Sequence, residues 1–114
     1  MDSIKAIQEE LRRATQAKIE GNIGKVRTCA RRASGLALME FYKQKTINIG
    51  KLNFISLLRM CMEDEAFPDE IRAAAWRLQH PIASNLSSPS VNPIDDATVI
   101  INYIQSNKKA PDID

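Results

Sequence analysis

The stretch Gly21-Asn22-Ile23-Gly24-Lys25-Val26-Arg27-Thr28-Cys29-Ala30-Arg31-Arg32-Ala33-Ser34-Gly35-Leu36-Ala37-Leu38 decides how this chain folds. Gly21 can take positive φ at the end of a preceding helix, and Asn22 is a good N-cap for the next one. The residues that follow put small side chains on one helical face and cations on another, so packing and a candidate site share one element. Its inner stripe reads Ile23, Val26, Cys29/Ala30, Ala33, Ala37 and Phe41 at steps of three and four, with Leu36 and Leu38 widening the arc, which predicts a helix to about Gln44. Gly35 costs up to about 1 kcal/mol relative to alanine inside a helix, and close approach of a neighbouring helix would offset that cost.

Before this stretch, Ile4, Ile7, Leu11, Ala14 and Lys18/Ile19 mark an amphipathic helix that Asp2 or Ser3 caps and Gly21 ends, so the first two helices form an antiparallel hairpin. After it, residues 45–51 read as a connection. A third helix is predicted over Leu52 to Asp64, with Phe54, Leu57, Leu58, Cys61 and Met62 inward. It ends in Glu63-Asp64-Glu65, where the helix dipole disfavours acids, and the expected role of these acids is to meet cations of the first half. Phe67-Pro68-Asp69-Glu70 opens a fourth helix that carries Ile71, Ala74, Ala75 and Leu78 inward and stops at His80, with Trp76 as a core or interface anchor. Residues 81–92 are rich in turn formers. Asn92 and Pro93 then start a fifth helix with Ile94, Ala97, Ile100, Ile101 and Ile104 on its apolar face. The reading is an all-α, single up-and-down bundle of about five helices over residues 1–106, with a flexible tail at 107–114.

With 114 residues the chain makes one domain, which should bury roughly two-thirds of the surface exposed when unfolded. Aromatic residues are only 5%, so the core must be aliphatic. The start of the chain offers no signal-peptide-like apolar run and no segment is long enough to span a membrane, so a cytoplasmic location without a membrane partner is expected. Cys29 and Cys61 lack metal-like spacing and read as reduced, buried thiols. The net charge of +2 hides an asymmetry, because residues 1–45 hold ten Lys/Arg against five acids whereas the remainder holds six against nine. That pattern either presents a face to an anionic partner or lets the two halves attract each other.

Arg27 and Arg31 lie four apart, with Arg32 about 100° round from Arg31. With Lys25, and with Arg12 or Arg13 from the first helix, they can build a phosphate-binding strip, since a guanidinium fork matches two phosphate oxygens. Asp95 and Asp96 are the competing partners for these arginines within the bundle. His80 is the only histidine, so general-base chemistry at neutral pH would rely on it, with Arg77 three residues earlier. No phosphate loop, metal cluster or nucleophile–base pairing is present at motif spacing, which leaves no cofactor and no metal expected.

The order of an amphipathic helix, a Gly-Asn turn, the Ala- and Arg-rich helix of Lys25-Val26-Arg27-Thr28-Cys29-Ala30-Arg31-Arg32-Ala33 and three shorter helices resembles the HEPN superfamily over about residues 3–106. The likeness is to its small prokaryotic members. It implies an up-and-down bundle, a homodimer and a role near nucleotides or RNA, often beside a nucleotidyltransferase-type protein partner. Catalytic HEPN proteins are ribonucleases with an Arg followed four to six residues later by His. Here the spacing to His80 is three from Arg77 and eight from Arg72, outside that pattern. The expected function is thus a non-catalytic binding module that contacts a nucleotide, RNA or an acidic protein through Arg27, Arg31 and Arg32. The alternatives are a metal-independent ribonuclease using Arg77 and His80, and a purely structural dimerisation bundle.

Overall fold

The computed structural model describes residues 3–79 and 92–108, and all of its regular structure is helical. Among the described residues five helices follow one another: α1 (Ser3–Ile19), α2 (Ile23–Gln44), α3 (Phe54–Glu63), α4 (Asp69–Gln79) and α5 (Pro93–Lys108). This is the expected all-α bundle. His80, the segment 81–91 and the tail from 109 lie outside the described residues, as does Asp2.

The α1–α2 turn forms as its residues dictate. Gly21 sits at φ 77°, its N–H donates to the Lys18 carbonyl at 3.1 Å, and the Asn22 N–H donates to the Ala17 carbonyl at 2.8 Å. These two bonds close α1 in a Schellman motif. Asn22 then starts α2 by accepting the Lys25 N–H on its side-chain oxygen at 3.1 Å. The same closing geometry recurs after α2, where Thr46 takes the positive-φ position at 57° and Ile47 N–H donates to the Tyr42 carbonyl at 3.0 Å.

α2 is the central helix and packs on α1, α3 and α5, whereas α4 packs between α3 and α5. Its small-residue stripe is buried at Cys29, Ala30, Ala33, Ser34, Gly35 and Ala37. Gly35 earns its place against α3, because a Cβ there would lie 2.4 Å from Phe54 Cδ1. The core is aliphatic, with a small aromatic group in which Phe41, Tyr42, Phe67 and Tyr103 meet edge-to-face or tilted.

Several expectations need correction. Ile19 and Ile23 flank the α1–α2 turn and are 74% and 69% exposed, because each lies beyond the overlap of the two helices; Ala17 and Val26 take the inner positions instead. The sequence stripe also ends one residue off, since Tyr42 is buried and Phe41 only partly so. α3 starts at Phe54, not Leu52, because Asn53 captures the Ser56 N–H at 2.8 Å and fixes the first turn. Trp76 is 42% exposed and so is not a core anchor. Asp64 does not meet a cation of the first half. Its carboxylate accepts the Tyr42 hydroxyl at 3.1 Å and the Ala66 N–H at 2.9 Å, holding the α3–α4 turn. Both cysteines are buried thiols without a disulfide.

Candidate functional site

The cations of α2 divide into two groups that the sequence does not separate. Arg27 is only 2% exposed and donates to the Leu78 carbonyl at 3.5 Å. Arg31 is partly buried and its Nε donates to the same carbonyl at 2.6 Å. Both guanidiniums therefore face the C-terminal end of α4, where carbonyls lack intrahelical donors and the dipole favours positive charge. Burial lowers the pKa of each, and the Arg31 charge adds to the effect at Arg27. Arg72 does the same for α3, donating to the Met62 carbonyl at 2.8 Å.

Arg32 belongs to the second group. It is exposed and lines a cleft of about 700 Å³ between α1 and α2 together with Arg12, Arg13, Lys25, Gln16 and Thr28. The cleft forms because α1 and α2 are antiparallel, so Arg12 and Arg13 from the second half of α1 come level with the first turns of α2. None of the described residues lining it is acidic. Lys25, Thr28 and Arg32 recur on α2 at steps of three and four, a signal that the row Arg27, Arg31, Arg32 obscures.

The electrostatics are uneven. Glu9, one turn before the cleft, receives both guanidiniums of α1: Arg12 at 3.1 and 2.7 Å and Arg13 at 3.2 Å. The Arg12 hydrogen bonds hold the Glu9 carboxyl at about 2, so it stays ionised at neutral pH. Among the described residues no acid stands within ion-pair distance of Lys25 or Arg32. Cys29 forms part of the floor, but burial, reinforced by Glu10, raises its thiol, which keeps it in the weakly nucleophilic protonated form.

The alternative catalytic pair is not brought into view. Arg77 is held by Asp96 through contacts of 3.2, 3.1 and 2.8 Å, which raise its pKa, and His80 lies outside the described residues. Asp96, which the sequence offers with Asp95 as a partner for the arginines of α2, forms an ion pair with Arg77 of α4. Among the described residues no cluster of potential metal ligands occurs, and no helix is long and apolar enough to cross a membrane. Comparison of the chain with family models, curated proteins and solved structures finds no match. The functional reading therefore rests on the cleft.

Proposed function

We propose that this chain is a non-catalytic, HEPN-like binding module that takes a phosphate-bearing ligand, a nucleotide or RNA, in the cleft between α1 and α2. One observation carries the reading. Arg12, Arg13, Lys25 and Arg32 converge from two helices on one cavity whose described lining contains no acid. The Arg32 guanidinium supplies a bidentate donor to phosphate oxygens, Arg12 and Arg13 keep donors beyond those given to Glu9, Lys25 adds a point charge, and Gln16 and Thr28 offer neutral hydrogen-bonding groups. Of the three arginines that the sequence singles out, Arg32 contributes to this cleft, while Arg27 and Arg31 hold the end of α4. The proposed module is a homodimer, in keeping with the HEPN resemblance, and sedimentation equilibrium tests that part separately.

The test is fluorescence anisotropy of a labelled single-stranded RNA at low and moderate salt. The expected result is saturable binding that weakens as salt rises, because phosphate contacts release counterions. A Lys25→Ala/Arg32→Ala double change should weaken binding at least about tenfold, the equivalent of roughly 1.4 kcal/mol. No binding by the wild-type chain at low salt would sink the reading.

A further inference from the structure

The basic cleft does not stop at Arg32. A second cavity of about 310 Å³ is lined by Thr28, Arg31, Arg32, Asn53, Phe54 and Ile55. Thr28 and Arg32 line both cavities, so the two lie side by side along α2. The lining changes character along this path. It begins with three cations, Arg12, Arg13 and Lys25, passes Arg32 at the junction, and ends at the half-buried Phe54 and Ile55. No described residue in either lining is acidic. Gly35 fixes the far end, because only a residue without a Cβ allows Phe54 to lie this close to α2.

From Lys25 to Gly35 is ten residues of helix, or roughly 15 Å at 1.5 Å per residue. An extended single strand spaces its phosphates more widely than the roughly 3.4 Å axial rise of a stacked duplex, so the path takes fewer than about four phosphates, yet a single nucleotide would leave part of it unfilled. A cationic track leading to an aromatic side chain is the combination that non-specific single-strand binding uses, with phosphates on the charges and a base against the ring.

Building on the anion-binding reading above, we propose that the two cavities form one trough for a single-stranded nucleic acid, whose phosphates follow Lys25 and Arg32 and whose leading base lies against Phe54. The sugar is left to the test.

The experiment compares a twelve-nucleotide single strand, as RNA and as DNA, with a dinucleotide and with a duplex of the same sequence. It uses the full chain and two variants, Lys25→Ala and Ile55→Glu. Ile55 lies in the first turn of α3, where an added acid suits the helix dipole, so Ile55→Glu folds while placing a negative charge at the far end of the trough. Circular dichroism confirms its helicity. The expected result is that Ile55→Glu weakens the twelve-mer by about five- to tenfold and leaves the dinucleotide unchanged, whereas Lys25→Ala weakens both. Preference for RNA or for DNA then assigns the sugar. If Ile55→Glu leaves the twelve-mer untouched while Lys25→Ala weakens it, the ligand is confined to the first cavity; the trough is overturned and the anion site survives. Equal binding of the duplex also overturns the single-strand proposal. Absence of binding by the wild-type chain removes the trough and the anion site together.

Discussion

Thr46 holds a backbone conformation that suits glycine, at φ 57° in the turn that closes α2. A β-branched residue in this region carries strain of roughly 1–2 kcal/mol, and glycine there gives back part of the gain through its freer unfolded chain. Thr46→Gly should therefore stabilise the protein by about 0.5–1 kcal/mol in urea unfolding, and a loss of stability would contradict the assigned geometry. Gly35 runs the other way. Alanine would gain up to about 1 kcal/mol of helix propensity, but its Cβ would also stand 2.7 Å from Phe54 Cβ and Cγ, atoms too near the backbone to swing aside. Overpacking of roughly 1–3 kcal/mol wins, so Gly35→Ala should lower stability by about 1–2 kcal/mol. The two positions also show what a sequence can and cannot say about single residues. The need for small volume at Gly35 was legible from its cost in a helix, whereas nothing about Thr46 signals that it will stand where Gly21 stands in the preceding turn.

Arginines joining one helix to the end of another are the recurring device at the level of elements. Arg27 and Arg31 reach from α2 to the Leu78 carbonyl of α4, and Arg72 reaches from α4 to the Met62 carbonyl of α3. Losing a charged donor from a part-buried carbonyl costs about 1.5–3 kcal/mol, so Arg31→Ala should destabilise the protein by that amount, while Lys25→Ala and Arg32→Ala should stay within about 0.5 kcal/mol of wild type. Equal effects at Arg31 and Arg32 would refute this division of labour. The helices themselves were readable because their signals are local: Gly21 and Asn22 at one turn, Pro68 with Asp69 and Glu70 at another, Asn92 and Pro93 at a third. The roles of the arginines were not. Periodicity places Arg27 and Arg31 on one face of α2, but whether that face meets solvent or the end of α4 depends on how the third and fourth helices fold back, which no local pattern encodes. Lys25 with Arg12 and Arg13 was foreseeable, since an antiparallel hairpin must bring them together.

For the molecule as a whole, the buried Tyr42 hydroxyl and Cys61 thiol link stability to alkaline pH. Burial, with the Asp64 charge second, pushes Tyr42 above its ordinary 10.0 and Cys61 from 9.0 up to about 12. Because the folded-state values are the raised ones, the folded chain keeps protons that the unfolded chain has released. Their contribution is complete below pH 9.0 and is lost as pH climbs from there through the folded-state values. Thermal melts should show the midpoint falling above about pH 9, and a Tyr42→Phe/Cys61→Ala variant, though less stable at neutral pH, should show a flatter alkaline limb. A further consequence follows from how α1 is attached. It rests on α2 and barely touches α5, so its backbone amides have a route to solvent that does not require the rest of the bundle to open. In deuterium exchange α1 should take up label ahead of α2 and α5. Because it also supplies Arg12, Arg13 and Gln16, anything seated in the cleft ties this helix down, and slowed labelling of α1 alone would register an occupant before its identity is known.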